Sequence, residues 1–331
     1  MHKSLLGKKF LYVAPRFFGY ENEIELELIR RGADVDFILD RPFDTPLMKG
    51  LTKLFPKFIT RFADRYYRRE LLRLGNKTYD YVFVINGQTL SGKSLEHWRK
   101  CFDSAEFVIY MWDSFGNRKN SIANLKYFDH CFSFDKSDAH RYKIRFRPLF
   151  FSEGFEVREK ISHVYDISFV GTAHTDRYSV ISAVKEIIES NNSYWYLFLQ
   201  AKWVFWLYKL INPHFKYANL SEFKFDSITK SQVQDVFFKS KVVLDVEHPG
   251  QTGLTMRTLE ALGAKKKIIT TNSAVMDYDF FNADNICIID RASPVVPSSF
   301  LTSPYVEVNS EIYQQYRLSG WMDEVLSDIK L

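Results

Sequence analysis

The feature that most constrains the fold is a strand that breaks into a glycine-containing loop and continues as a helix. Residues 241–246 read KVVLDV, a run with the β-branched density of a buried strand, and residues 248–253 read HPGQTG. Apolar residues then recur at helical spacing before a second strand, IITT, at 268–271. Glycines at such a junction let backbone amides approach a ligand, and the helix start adds partial positive charge. The segment therefore predicts a parallel α/β unit that binds an anion.

The rest of the chain repeats this alternation of strands and helices in two sets. Its 331 residues are enough for two domains. Further strands are predicted at 10–13, 35–39, 81–85, 106–111, 131–133, 167–172 and 194–199. Two consecutive sets of parallel α/β units imply two doubly wound, Rossmann-like domains that face a central cleft. We expect an N-terminal domain at 1–152, a C-terminal domain at 153–310, and a helix at 311–331 that packs back on the first domain.

Hydropathy indicates where the protein resides. No stretch of about 20 residues is free of charges, as a membrane-spanning helix would require. The opening, MHKSLLGKKFLYV, runs straight into a strand instead of forming the apolar core of a signal peptide. We therefore expect a cytoplasmic protein.

Positive charge is concentrated in the window 49–77. This window holds nine basic and two acidic residues, so its net charge is 9 − 2 = +7, against +5 for the whole chain. Apolar side chains interleave with the charges at roughly helical spacing, a combination that suits peripheral contact with the anionic inner face of a membrane. The alternative is a solvated helix whose apolar stripe packs on its own domain. Because no nucleic-acid-binding motif accompanies the charge, no nucleic acid partner is predicted.

Four stretches carry a resemblance to a known family. They are APRFFGYENEI at 14–24, YMWDS at 110–114, FVGTAHTDRY at 169–178 and HPGQTGLTMRTLEALG at 248–263. Together they resemble GT-B glycosyltransferases of the CgeB-like family, which act in bacterial O-antigen, capsule and exopolysaccharide biosynthesis. The resemblance implies a GT-B fold and no cofactor. It also implies transfer of a hexose or related sugar from a nucleotide-diphosphate sugar, held by the C-terminal domain, to a glycan or polyprenyl-linked acceptor held by the N-terminal domain.

On this interpretation the anion is the donor diphosphate. The amides of 252–254 would point at it from the helix start, Arg257 would neutralise the leaving charge, and Glu260 would accept the ribose hydroxyls. Arg257 and Glu260 could instead form an ordinary i,i+3 pair, and Arg177 could be a solvated cation. The predicted donor-binding residues are Gly171, Thr172, His174, Arg177, His248, Thr252, Gly253, Leu254, Thr255, Arg257 and Glu260.

Stereochemistry determines which catalytic group to look for. Similar enzymes that retain anomeric configuration often carry two glutamates eight positions apart in this helix region, but Thr252 stands eight residues before Glu260, which favours inversion. An inverting transfer needs a general base. Asp113 follows an apolar strand and Glu21 starts a helix, so both are candidates, although each could simply cap its own turn or helix. The predicted acceptor-side residues are Gly19, Tyr20 and Asn86.

No metal site is expected. The pattern Asp34-Val35-Asp36 begins a strand, which places its carboxylates at the wrong edge of a sheet for a ligand. Arg257, Arg177 and helix dipoles would meet the pyrophosphate charge instead. Two other functions stay open, namely a non-catalytic GT-B-like nucleotide-binding partner subunit and a nucleotide-sugar epimerase.

Overall fold

The computed structural model describes residues 4–40, 56–75, 77–157, 161–188 and 191–327, with side chains in the helix from Pro56 described only from Phe62 onward. The chain forms two compact units. Unit 1 comprises Met1–Pro148 and Leu318–Leu331, and unit 2 comprises Leu149–Arg317. The unit boundaries thus follow Pro148 and Arg317, where the sequence suggested 152 and 310.

Unit 1 is built on one parallel sheet. Its strands are β1 (Lys9–Ala14), β2 (Asp34–Leu39), β3 (Tyr81–Ile85), β4 (Glu106–Met111), β5 (His130–Ser133) and β6 (Arg145–Phe146). Its helices up to the first boundary are α1 (Tyr20–Arg30), α2 (Pro56–Leu74), α3 (Gly92–Cys101), α4 (Lys119–Ile122) and α5 (Lys136–Tyr142). The strand order is β2-β1-β3-β4-β5-β6. Every residue of β3, YVFVI, is buried, because a parallel sheet covered by helices on both faces needs apolar runs instead of alternation.

Unit 2 repeats the architecture. Its strands are β7 (Tyr165–Thr172), β8 (Ser193–Phe198), β9 (Phe223–Lys224), β10 (Ser240–Asp245), β11 (Lys267–Thr270) and β12 (Ile286–Ile288). Its helices are α6 (Arg177–Ile187), α7 (Lys202–Ile211), α8 (Lys230–Lys239), α9 (Met256–Gly263), α10 (Ser298–Thr302) and α11 (Ser310–Gln315). The strands are parallel in the order β12-β11-β10-β7-β8-β9. The predicted pair of doubly wound, Rossmann-like domains is confirmed.

Both sheets have a point where the strand order reverses. In unit 1 the chain places β2 on one side of β1 and β3 on the other. In unit 2 it adds β8 and β9 on one side of β7, then places β10 on the opposite side. Open α/β sheets bind ligands outside the carboxyl ends of the strands at such a reversal. The topology therefore directs attention to the loops after β1 and β3 in unit 1, and after β7 and β10 in unit 2.

The last described helix, α12 (Leu318–Val325), belongs to unit 1. Its Trp321 is fully buried, with its ring centroid 4.7 Å from that of Tyr110 and 6.3 Å from that of Phe83. Arg31, at the end of α1, pairs with Asp323 and donates to the carbonyl of Ser319. The chain thus closes one face of the first sheet with its own C-terminal segment.

Helix α2 contains part of the basic window. Lys49 and Lys53 lie outside the described residues, as do the side chains of Lys57 and Arg61. In the described part, Ala63 and Tyr67 are buried in the unit 1 core, and Tyr66, Leu71 and Leu74 pack against it. The exposed basic side chains are Arg65, Arg68, Arg69, Arg73 and Lys77. Of the described apolar side chains of α2, those of the core pack on unit 1, whereas Phe62 and Leu72 are exposed beside the charges. No helix in the described ranges is long and apolar enough to cross a membrane.

Candidate functional site

A pocket of about 470 Å³ opens at the strand-order reversal of unit 2. It is bounded by the loop after β7, the loop after β10, and the end of α7. The lining residues are His174, Thr175, Tyr208, Ile211, Asn212, Pro213 and His248. This volume falls in the range of pockets that hold small organic ligands.

The loop that forms one wall of the pocket is held in place from α7. Thr175 has a left-handed backbone with φ 55°, which is uncommon for a β-branched residue. The side-chain amide of Asn212, just past the end of α7, donates to the carbonyl of Thr175 at 2.8 Å. The Thr175 hydroxyl donates to the carbonyl of His174 at 2.6 Å. These bonds stabilise the turn and fix the wall of the pocket.

Arg257 lies beside the end of β7. Its Nε and Nη2 donate to the carbonyl of Val170 at 3.1 and 2.6 Å, and its Nη1 donates to Asp245 at 2.8 Å. Gly171 leaves room for this arrangement, because a Cβ at that position would lie 2.6 Å from Nη2 of Arg257 and the guanidinium would have to shift. The guanidinium also lies 5.0 Å from the ring centroid of Phe169. Only 15% of the side chain is exposed, so Arg257 is oriented before any ligand arrives.

Asp245 organises this part of the site, and the sequence interpretation missed it. It ends β10 fully buried, and besides Arg257 it accepts the hydroxyls of Thr255 at 2.7 Å and Thr258 at 2.6 Å. A carboxylate that ends an apolar strand was the signal used to select Asp113, and Asp245 carries the same signal. Arg257 therefore pairs with Asp245. The sequence had suggested either a contact with the diphosphate or an i,i+3 pair with Glu260, and neither included Asp245.

Arg177 is buried beneath the same loops. Its Nε donates to the carbonyl of Val246 at 2.8 Å, and its Nη1 donates to the carbonyl of Thr172 at 2.7 Å. Burial, followed by the nearby charge of Arg257, lowers the pKa of Arg177 to about 9. The solvated alternative is wrong for this residue. Arg177 links the loops after β7 and β10, and its contact with phosphate stays a prediction.

A second arginine network was also missed. Arg291 donates to Asp176 at 2.7 Å, and to the backbone and side chain of Glu247, each at 2.7 Å. Glu247 also accepts the hydroxyl of Thr271. Because Asp176 and Arg291 are 115 residues apart, no local pattern could have indicated the pair. It ties the start of α6 to the segment after β10.

The pKa of His174 reports the electrostatic environment of the pocket. Its pKa is lowered to about 4, first by burial and then by the charges of Arg177, His248 and Arg257, with Asp176 acting in the opposite direction. The ring centroids of His174 and His248 are 5.6 Å apart, and His248 is exposed. A site whose arginines help to expel a proton from a histidine favours a bound anion.

The His174 shift predicts how stability changes with pH. An unfolded histidine titrates near 6.5, whereas His174 in the fold titrates near 4, so between these values only the unfolded chain takes up the proton. The stability that neutral His174 contributes is therefore present above pH 6.5 and is lost as pH falls towards 4. His174→Gln should lose less thermal stability than the wild type between neutral and mildly acidic pH. Equal losses, measured by parallel thermal unfolding, would contradict this expectation.

The glycine loop after β10 differs in one respect from expectation. Helix α9 begins at Met256, and Thr255 is its N-cap, accepting from the amide of Thr258. The predicted amides of Thr252, Gly253 and Leu254 thus precede the helix instead of forming its first turn. Side chains hold this loop, because Gln251 donates to the carbonyl of Gly253 at 2.8 Å and Asn272 to that of Thr252 at 3.3 Å.

Glu260 lies on α9 and is buried. Burial raises its pKa to about 8. At neutral pH the group is mainly protonated, which differs from the ionised carboxylate expected from the sequence. A protonated carboxyl can donate from one oxygen and accept at the other. Contact between Glu260 and a ribose remains a prediction. A protonated Glu260 would donate a hydrogen bond to one ribose hydroxyl and accept one from the other.

Asp113 follows β4 in unit 1, as the sequence indicated. Its Oδ1 accepts from the amide of Ser114 at 2.9 Å and from the side chain of Asn117 at 3.0 Å. Its Oδ2 pairs with Arg118 at 2.8 Å, with 28% of the carboxylate side chain exposed. Asp113 therefore holds its own turn, and a role as base would be additional to that contact.

Glu21, in the first turn of α1, is almost completely buried and accepts from the amide of Phe17 at 3.0 Å. Gly19 is the N-cap of α1 with φ 79°, a left-handed conformation that glycine adopts without strain. The neighbouring Tyr20 is buried. Glu21, Gly19 and Tyr20 thus lie together where the loop after β1 enters α1.

Asn86 connects the loops after β3 and β4. It has a left-handed backbone with φ 62° and is buried. Its side-chain oxygen accepts from the amide of Trp112 at 3.0 Å, and its carbonyl accepts from Ser121 at 3.0 Å. Asn86 therefore positions the segment that carries Asp113.

Aromatic rings gather at the same edge of unit 1. The ring centroid of Phe17 lies 4.9 Å from that of Phe18, 5.7 Å from that of Trp112 and 6.2 Å from that of Tyr20. Phe17 and Phe18 are 41% and 67% exposed. Because the cluster joins the loops after β1 and β4, it presents apolar ring surface beside the strand-order reversal of the first sheet.

Comparison with solved structures identifies the architecture. HepE of Anabaena, in complex with UDP and glucose, is similar over 97% of this chain and 98% of its own, with 11% identity and a TM-score of 0.58. The fold is GT-B. The same GT-B fold is shared with a UDP-GlcNAc 2-epimerase of Methanocaldococcus jannaschii, at 12% identity, coverage of 97% and 99%, and a TM-score of 0.57. A glycosyltransferase of Rickettsia africae matches at 13% identity, coverage of 98% and 94%, and a TM-score of 0.52.

No protein-family model matches the chain, and no curated protein does. The GT-B proteins just described include a glycosyltransferase and an epimerase, so the GT-B fold does not choose between these activities.

Proposed function

We propose that this protein is a glycosyltransferase that moves a sugar from a nucleotide-diphosphate sugar to a glycan acceptor. The observation that carries the proposal is the pocket at the reversal between β7 and β10, whose lining residue His174 is close enough to Arg177 and Arg257 for their charges to lower its pKa. The N–H groups of Arg257 that do not donate to Val170 or Asp245 would donate hydrogen bonds to a diphosphate. That charge-assisted contact would stabilise the departing nucleotide as the glycosidic bond breaks.

UDP is the nucleotide we propose, since the similar HepE structure contains UDP and glucose. His174 and His248 would contact the phosphates from the rim of the pocket, and Glu260 the ribose. Thr172, Thr255 and the loop 252–254 would position the diphosphate.

The acceptor side is proposed to be the carboxyl edge of the unit 1 sheet. The aromatic cluster of Phe17, Phe18 and Trp112 offers ring faces against which a sugar can pack, and Asp113 and Glu21 stand in the adjoining loops. One of these carboxylates would take the proton from the acceptor hydroxyl while the anomeric centre inverts. The reaction is proposed to need no divalent metal and no cofactor.

The cellular role we propose is bacterial surface polysaccharide synthesis, including lipopolysaccharide O-antigen or capsule, by a CgeB-like enzyme. A polyprenyl-linked acceptor would place the reaction at the cytoplasmic face of the inner membrane. The exposed arginines of α2 support electrostatic attraction to anionic lipid there.

An epimerase is the second candidate, because the Methanocaldococcus epimerase shares the fold over nearly its whole length. Incubation of UDP-GlcNAc alone separates the two. An epimerase converts this compound into its epimer without an acceptor, whereas a transferase leaves its stereochemistry unchanged.

Thermal unfolding with a panel of nucleoside diphosphates and their sugars, in buffer containing EDTA, tests the proposal. A ligand at 100 times its dissociation constant adds about 2.7 kcal/mol to the stability of the folded state. UDP and one UDP-sugar should raise the midpoint by several degrees, and the matching GDP and CDP compounds should not. The shift should be unchanged when magnesium or manganese replaces EDTA. The donor proposal fails if no nucleotide stabilises the protein, and metal independence fails if stabilisation requires the ion.

A further inference from the structure

Helix α7 carries an apolar strip that the fold leaves exposed to a large extent. Trp203, Trp206, Leu207 and Leu210 follow the spacing i, i+3, i+4, i+7, so they lie along one face of the helix. Their exposed fractions are 67%, 59%, 42% and 84%. Scattered exposed apolar side chains are ordinary, but four on one helix face, two of them tryptophans, form a contiguous patch.

The opposite face of α7 accounts for its packing. Val204 and Phe205 are buried in the core of unit 2, and Tyr208 packs against that core. The helix is therefore apolar on both sides. A helix with this pattern is normally buried on all sides, but the outer side of α7 is exposed to solvent. The strip is only partly buried, with the Trp206 ring centroid 5.2 Å from that of Phe205, so its remaining exposed apolar surface requires a different explanation.

The charge around the strip indicates what it meets. Residues 200–221 contain three lysines and no aspartate or glutamate. Lys202 starts the helix, and Lys209 and Lys216 follow at its far end, all three exposed. Lys209 donates to the carbonyl of Ala218 at 2.7 Å, which fixes the turn after the helix. Tryptophan and lysine together are typical of helices that lie in a bilayer interface, with rings among the headgroups and ammonium groups near lipid phosphates.

We propose that the α7 strip docks unit 2 on an anionic lipid bilayer. The four apolar side chains insert at the level of the headgroups, and Lys202 and Lys216 pair with anionic lipid. A second copy of the chain fits the strip less well, since a stable protein interface takes about 20–30 residues a side and α7 is only about 15 Å long.

This surface is distinct from α2. In the described part of α2, Tyr66, Leu71 and Leu74 pack against the core of unit 1, and Phe62 and Leu72 are exposed. The α7 strip combines four exposed apolar side chains on one helix face with nearby lysines. Tyr208 and Ile211 of α7 also line the pocket at the reversal between β7 and β10, so docking would bring that pocket close to the lipid surface. The inference rests on the strip and its charges and does not depend on catalytic activity.

Co-sedimentation of the full chain with phosphatidylcholine vesicles, with and without phosphatidylglycerol, tests the proposal. The wild type should bind the anionic vesicles, and quenching by brominated lipid should show tryptophan insertion. Trp206→Ser combined with Leu210→Ser should weaken binding by roughly 10-fold or more, because both insertions are lost. Lys202→Glu combined with Lys216→Glu should weaken binding to anionic vesicles and reduce its salt dependence.

Two matched variants serve as controls. Met276→Ser with Val295→Ser removes two exposed apolar side chains from the same unit and should leave binding unchanged. Arg65→Gln with Arg68→Gln removes charge from α2, so it should weaken attraction to anionic vesicles but leave the lipid quenching of tryptophan in the vesicle-bound protein unchanged. Absence of vesicle binding by the wild type would overturn the proposal, as would full binding by the Trp206 and Leu210 variant. A self-association that this variant abolishes would assign the strip to a second copy of the chain instead.

Discussion

Replacing Arg257 by alanine is expected to weaken binding of UDP by about 10-fold or more, which corresponds to the loss of one charge-assisted contact. The guanidinium is already oriented by Val170 and Asp245, so a diphosphate would gain this contact with little ordering cost. Isothermal titration with UDP measures the change. The substitution should also lower thermal stability, because Asp245 remains buried without its cation.

Asp245→Asn separates the two effects. This variant removes the charge of the same ion pair, but its carboxamide oxygen can still accept from Nη1 of Arg257, so it should lower stability while weakening UDP binding much less than Arg257→Ala does. Gly171→Ala provides a third case, since its Cβ would lie 2.6 Å from Nη2 of Arg257 and force the guanidinium to move. It should weaken UDP binding although no charge is removed. If Arg257→Ala and Asp245→Asn weaken binding alike, Arg257 only supports the loop, and the diphosphate site lies elsewhere.

The architecture could be predicted because its signals are local. The run YVFVI at β3 and the run KVVLD within β10 are buried strands that sequence periodicity identifies directly. The short strands β6, β9 and β12 were not predicted, since two or three residues do not establish a period. They lie at or near the sheet edges and do not alter the two reversals of strand order.

The candidate site was predictable only in part, because several of its contacts join distant residues. Gly171 and Arg257 were selected separately, and only the fold shows that the absence of a Cβ at 171 makes room for the Arg257 guanidinium. The pocket wall from α7 depends on Asn212 reaching Thr175, a contact between residues 37 apart. The start of α9 was misplaced because Thr255, and not the glycine loop, caps it. Asp245 could have been found, since it ends an apolar strand as Asp113 does.

Once a donor is known, Asp113→Asn is expected to reduce turnover by about 10²- to 10⁴-fold, the usual contribution of a positioned base. Asparagine keeps the shape of the side chain but removes the carboxylate charge. Donor affinity should be nearly unchanged, since Asp113 belongs to unit 1 and the pocket to unit 2. Release of UDP from the stabilising UDP-sugar, followed with and without glycan acceptors, measures turnover.

The Asp113→Asn variant needs a control, because Asp113 also holds its own turn. A loss of turnover could therefore come from a disturbed turn instead of a missing base. Arg118→Gln breaks the ion pair at Oδ2 while keeping the carboxylate, so it should retain most turnover if Asp113 is the base. Losses of equal size in Asp113→Asn and Arg118→Gln would make Asp113 a positioning residue. Glu21→Gln is the parallel test, since Glu21 holds the amide of Phe17 in the neighbouring loop. If only Glu21→Gln loses turnover, proton transfer belongs to Glu21, and if both carboxamide variants remain active, the base is neither of these residues.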